Sequence, residues 1–399
     1  MKRLFSLLLT AVLLVSTFSA PASALSIAVT INVYNWGQYI ADGTDDSLDV
    51  IDAFEEAYPN IKVNYMTFDS NESMYTKLKA GGSTFDVIVP SDYMVQKLAQ
   101  EGMLEELDFS NIPNYKYIDD SFKNLSYDPD NLYSVPYTWG CVGLIYNTQY
   151  VDPEDVGSWD LLWNEKYAGK ILMFDNPRDA FAIAEARLGY SINTEDPTLL
   201  TLSANLLREQ KPLVQAYVMD QIFDKMQRGE AWIAPYYAGD YLTMVEENPD
   251  LEFCFPEEGF NLFVDALCIP KGAEHKTEAE IFINFLLDPE ICAQNLEYLG
   301  YSAASSAAKE LMDPELAENP VAYPDEETLA RGSAFMSLSQ QGSQEMDSLW
   351  LTVKTADTAT TVYLIMTVAA IGLVVFLWIF FKVRKRKRKA RRCAKWKSA

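Results

Sequence analysis

The chain has 399 residues, 49% hydrophobic and 22% charged, which excludes a collagen-like repeat or global disorder and leaves room for two or three folded units. Its formal charge is −25, yet thirteen of the 32 basic residues lie in residues 1–24 and 361–399, where there is no acid; residues 25–360 therefore set 19 basic against 57 acidic residues, a net of −38. A surface that negative repels nucleic acid and favours cationic partners.

At the N-terminus, Lys2 and Arg3 precede an apolar run from Leu4 to Phe18, and Ala22-Ser23-Ala24 supplies small residues for cleavage. This predicts a secretory signal over 1–24. Strands and helices then alternate. Ile31, Val33 and Tyr34-Asn35-Trp36 read as a strand, Leu48 to Tyr58 as a helix stopped by Pro59, and Ile61, Val63 and Tyr65 as a second strand. Met74 to Ala80 reads as a helix ended by Gly81-Gly82, Phe85 to Val89 as a short buried strand, and Tyr93 to Glu101 as a helix closed by Gly102. Further on, Lys170 to Phe174, Ala231 to Tyr236 and Phe263 to Ile269 read as strands, with helices over Arg178 to Leu188 and Ile281 to Leu287. Such alternation implies an α/β fold whose ligand sites lie beyond the carboxyl ends of strands.

Residues 336–360 are rich in Ser, Gln, Thr and Asp, and 346–357 are expected to tether the folded part to a membrane. From Thr358 to Phe381 there is no charge, and at 1.5 Å per residue a helix there reaches about 36 Å, enough to cross a bilayer. The block that begins with Lys382 and Arg384-Lys385-Arg386-Lys387-Arg388-Lys389 is then a cytoplasmic tail over 382–399, which places the acidic part outside. Cys141, Cys254, Cys268 and Cys292 show no C-x-x-C spacing, so disulfides and buried thiols both stay open. The single histidine, His275, sits in a polar stretch expected to be a solvated loop, which argues against histidine catalysis and the usual histidine metal sites.

Beyond the expected strand ends lie Trp36, Tyr39, Tyr93, Tyr237, Phe263 and Tyr301, with the carboxylates Asp179, Asp240 and Asp265 near several of them in sequence. Aromatic faces attract an ammonium by about 0.5–2 kcal/mol, and a carboxylate adds a charge-assisted hydrogen bond of about 1.5–3 kcal/mol. Together they describe an amine cage. The same acids also allow an acid/base pair of the glycosidase kind, but no nucleophile motif, phosphate loop or metal cluster accompanies them, and no cofactor is implied.

Five segments carry a likeness: Tyr34-Asn35-Trp36, Asn71 to Lys79, Phe85 to Ser91, Tyr133 to Gly140, and Asp265 to Pro270. With Ile283 to Leu287 and Gly300-Tyr301 they resemble, in colinear order over roughly 31–335, the spermidine/putrescine-binding proteins of bacterial polyamine ABC importers. The resemblance implies a two-lobed type II periplasmic-binding-protein fold, here followed by a single C-terminal transmembrane helix. It implies lobe one over 30–140 with 264–308 and lobe two over 145–260 with 311–345. It also implies a monomeric receptor domain that holds putrescine or spermidine in the cleft and delivers it to ABC permease subunits. Carried over by position, Trp36, Tyr39, Tyr93 and Tyr301 match contacts to the polyamine chain and Asp265 matches the carboxylate that anchors an amine. Asp179 stands where the family often has a glutamate, and Asn176 where the spermidine type is acidic. Tyr237 and Phe263 stand where that type has tryptophans, whereas Phe263 and Asp240 resemble the putrescine branch. An alternative resemblance remains, since Tyr236-Tyr237 is similar to the tyrosine pair with which iron-importing relatives of this fold bind ferric ion.

Overall fold

The computed structural model describes residues 28–81, 84–356 and 382. The signal read over 1–24, the span read over 358–381 and the tail beyond Lys382 lie outside these residues. Among the described residues no helix is long and apolar enough to cross a membrane.

The first lobe opens with β1 (Val29–Trp36), α1 (Val50–Ala57), β2 (Ile61–Phe68), α2 (Asn71–Ala80), β3 (Val87–Ile88) and α3 (Asp92–Gln100). Both β2 and β3 lie parallel to β1. Local chemistry starts the helices where the alternating pattern stops: Asp49 caps α1 through the Asp52 amide, and Ser70 and Ser73 form a reciprocal capping box on α2. The chain then enters β4 (Ser134–Asn147), fourteen residues long, which carries it into the second lobe. There follow β5 (Ile171–Phe174), α4 (Pro177–Arg187), α5 (Pro197–Gln210), β6 (Val214–Val218), α6 (Ile222–Gln227), β7 (Ile233–Tyr237), α7 (Ala238–Glu247) and β8 (Leu251–Cys254). Strand β9 (Phe260–Cys268) brings the chain back, antiparallel to β4, and α8 (Lys276–Leu286), α9 (Pro289–Leu299) and β10 (Ser302–Ala303) complete lobe one.

The strand order is β2-β1-β3-β9-β4-β7-β5-β6, so β4 and β9 are shared and each lobe hangs its parallel strands on one side of the pair. Ile31, Val33, Phe54, Val87, Phe282 and Leu296 fill one face of the first lobe. Leu144, Trp159, Phe174, Phe181, Ile233 and Met244 belong to the core that fills the second. The lobes touch where side chains are absent: a Cβ on Gly239 of α7 would lie 2.5 Å from the Tyr301 ring of lobe one. The cysteines Cys141, Cys254, Cys268 and Cys292 are all free thiols, and His275 is half-buried as the cap residue of α8.

After α9 the chain returns to lobe two through β11 (Gly332–Ala334), which pairs in parallel with Phe260–Leu262. Residues 340–356 then form a helix, which corrects the reading of 346–357 as a tether. Polar composition hid an apolar stripe: Met346, Trp350 and Val353, at helical spacing, are buried in the core of lobe two. Trp350 meets Tyr217 edge-on at 5.4 Å, Lys354 pairs with Asp175, and the Lys211 ammonium donates to the Val353 carbonyl at 3.0 Å. Trp350→Ala should therefore lower unfolding free energy by about 3 kcal/mol in urea titration. A tether would show no change.

Candidate functional site

Both lobes turn the carboxyl ends of their parallel strands toward one cleft. In lobe one, β1 delivers Trp36 and then Gly37, Gln38 and Tyr39, Asp69 follows β2, and Tyr93 lies in the first turn of α3. In lobe two, β5 leads to Asp179 in the first turn of α4, β6 to Asp220, and β7 to Tyr237 and then Asp240 in the first turn of α7. Phe263 and Asp265 come from β9, where residues two apart share a face, and Tyr301 follows α9. All nine side chains singled out from the sequence line this cleft, whose empty volume counted out to the mouth is about 690 Å³.

Asp265 is 4% exposed. Its Oδ2 accepts the Tyr39 hydroxyl at 2.6 Å, and the same hydroxyl is held by Thr138, while Oδ1 is buried with no partner. Burial pushes its pKa up to about 6, against the Tyr39 hydrogen bond that pulls it down. Asp179 is fixed on the opposite lobe. Its amide donates to the Asn176 cap at 3.2 Å, and its Oδ2 accepts from the Asn176 amide and, at 3.1 Å, from the Tyr237 hydroxyl. Burial raises its pKa to about 6 as well. Asp240, 9% exposed, is pushed well above the usual carboxylate range, first by burial and then by the charge of Asp220, with the Tyr301 hydroxyl opposing.

Aromatic rings connect these acids. Tyr39 meets Tyr301 edge-on at 5.1 Å, Tyr301 meets Phe263 at 6.4 Å, and Phe263 meets Tyr237 at 5.5 Å. Tyr93 sits at the end nearest Asp179 and donates to Glu72 at 2.9 Å. Tyr236 packs on Phe174 with ring centroids 5.3 Å apart and is 2% exposed. Among the described residues no three His, Cys, Asp or Glu side chains gather where they would hold a metal ion.

Several lining residues escaped the sequence reading. Asp69 directly follows an alternating strand and carried a usable signal; Asp220 needed β6, whose pattern is weak. Phe335 lay out of reach, because it enters from the segment after β11 and meets Tyr93 edge-on at 5.6 Å. Arg178 anchors that segment: its centre lies 4.2 Å from the Phe335 ring and it donates to the Met336 carbonyl at 3.1 Å.

The bacterial extracellular solute-binding protein family matches residues 49–324. The spermidine/putrescine-binding periplasmic protein of Escherichia coli (strain K12) is 36% identical over 304 residues, 76% of this chain and 85% of that protein. The putrescine-binding periplasmic protein PotF of the same organism is 31% identical over 321 residues, 76% of this chain and 85% of that one. Among solved structures, a Listeria monocytogenes chain assigned to a spermidine/putrescine ABC transporter is 38% identical with a TM-score of 0.78, covering 82% of this chain and 100% of its own. The spermidine/putrescine substrate-binding protein PotD of Streptococcus pneumoniae is 36% identical with a TM-score of 0.68, covering 82% and 99%. With two lobes hung on a shared strand pair and a cleft between their strand ends, the chain belongs to the bacterial extracellular solute-binding proteins, a family of binding proteins and not of enzymes.

Proposed function

We propose that the chain is the substrate-binding protein of an ABC importer, that it captures putrescine or spermidine outside the cell, and that a C-terminal helix holds it to the membrane. The observation that carries the ligand reading is Asp265: a carboxylate 4% exposed, with one oxygen lacking any partner, facing a cleft walled by aromatic rings. A protonated amine supplies the missing donor and the missing charge, while the rings of Trp36, Tyr39, Tyr93, Tyr237, Phe263 and Tyr301 take the methylenes and ammonium faces. Asp179 and Asp240 stand ready for further ammonium groups. The relatives bind spermidine and putrescine by name, which supports the same class here. The lobe boundaries expected from the sequence serve as the two jaws, which close on ligand about β4 and β9 and are handed as a closed unit to permease subunits. A ferric site at Tyr236 and Tyr237 gains no support, since the Tyr237 hydroxyl is committed to Asp179 and Tyr236 to stacking on Phe174.

Calorimetric titration with putrescine, spermidine and a sugar tests the class: both amines should bind and the sugar should not. Asp265→Asn removes the charge and keeps the shape, so amine affinity should fall by about 10- to 150-fold. The empty variant should be more stable than the parent at pH 7.5, because the carboxylate is ionised in both states of the parent and burial disfavours that charge only in the folded one. Since the folded pKa is the higher one, that cost disappears as pH falls through about 6, and the two melting temperatures should converge near pH 4. An unchanged affinity with a destabilised fold would remove Asp265 from the site.

Acid should weaken binding. Asp265 and Asp179 both take up protons near pH 6 in the empty cleft, and an ammonium can bind only after those protons leave. Dissociation constants should rise between pH 7.5 and 5, by up to about tenfold per pH unit for each group below its pKa.

The uncharged run 358–381 followed by the basic block supports the anchor. Protease added to intact wall-free cells should digest the folded domain and spare a tag at Ala399; a digested tag with a protected domain would reverse the topology.

A further inference from the structure

The two lobes present like charges to each other at the mouth of the cleft. Asp69 follows β2 on lobe one, Asp220 follows β6 on lobe two, and both are exposed and line the cleft. The Asp220 carboxylate reaches across to lobe one, where it occupies the space a Cβ on Gly37 would fill. Its pKa is raised, by partial burial and then by the charge of Asp69. Asp240, nine-tenths buried, is raised first by that burial and then by the charges of Asp220 and Asp265, whose Oδ1 has no partner in the same cavity. A continuous run of acids, Asp265, Asp240, Asp220 and Asp69, therefore leads from the buried part of the cleft to its exposed rim. No lysine or arginine pairs with Asp69, Asp220 or Asp240 among the described residues. The charge balance at the other end differs, because Arg178 lies among Glu72, Asp179 and Glu185.

We propose that Asp69 and Asp220 form an interlobe clamp for one terminal ammonium of the ligand, so that the ligand's second positive charge is what permits the lobes to close. This rests on the amine reading of the cleft and assigns a selection rule to it. In the empty protein, closure brings carboxylates of opposite lobes together and is opposed by their repulsion. An ammonium between them turns one repulsion into two attractions. A ligand with one charge satisfies Asp265 and leaves the rim uncompensated, so the clamp selects linear diamines and longer amines over monoamines of equal carbon length.

The test compares putrescine with 1-aminobutane, the same carbon chain with one charge, by calorimetry on the parent, Asp69→Asn, Asp220→Asn and the double variant. Both positions are exposed, so the fold should tolerate the changes. Each single variant should lose about 5- to 30-fold in putrescine affinity and keep its 1-aminobutane affinity within about threefold, so that the preference for the diamine shrinks. Small-angle scattering should find the unliganded double variant more compact than the unliganded parent. If the parent binds putrescine and both single variants match it, the clamp is overturned while the amine reading stands. Equal losses for the two amines would also overturn it, because general steering by the acidic rim predicts that result. A parent that binds neither amine removes the amine reading itself, and the clamp with it.

Discussion

The antiparallel pairing of β4 with β9 is the constraint on which the rest of the molecule depends. Its register runs from Ser134 opposite Cys268 to Cys141 opposite Leu262, and each lobe's parallel strands are added to one side of it. The same register builds part of the site. Thr138 lies opposite Asp265 and shares the Tyr39 hydroxyl with it, while Gly140 lies opposite Phe263 and leaves room for its ring, which a Cβ would approach to 2.7 Å. A slip of one residue would exchange the faces of the strand and turn Phe263 and Asp265 out of the cleft together. Hinge, aromatic wall and anchoring carboxylate thus share one set of ladder hydrogen bonds.

The cleft departs from the rule that buried charges are paired. Asp92, Asp265, Asp179 and Asp240 all lie under 10% exposed, and burial raises the pKa of each, to about 8 for Asp92. Asp92 has compensation from the Tyr93 amide at 2.7 Å, and Asp179 from Asn176 and Tyr237. Asp265 and Asp240 have less, and they face the cavity. A protein under selection for stability alone would replace them with amides; a receptor for cations gains affinity from the same unpaired charge that weakens its empty form.

Much of this was legible because lobe one follows local rules. Its strands alternate or run apolar, its first three helices begin at Asp or Ser and stop before Gly or Pro, and Trp36 and Tyr93 fall where the pattern breaks, at the end of β1 and the start of α3. The illegible parts have specific causes. Strand β4 carries Pro136, Gly140 and Gly143, which read as breaks, yet it is a continuous strand because long-range partners on both sides override local preference. Strand β9 begins at Phe260, earlier than its apolar run announces, since Asn261 is buried by pairing with Ser333 and not by hydrophobicity. The helix over 340–356 has apolar residues at the right spacing, but Ser and Gln around them dilute the signal. The reach of Asp220 to Gly37 and the entry of Phe335 join positions far apart in the chain, which no local pattern encodes.

The packed helix over 340–356 also sets where the chain leaves the folded part. Its bonds through Thr352, Val353, Lys354 and Trp350 all go to lobe two, so whatever continues beyond residue 356 leaves from lobe two. Any movement of lobe one against lobe two would leave that exit point still. Were the chain held to a surface beyond that point, as proposed, the attachment would pull on one lobe alone, and retention and lobe closure would be mechanically independent.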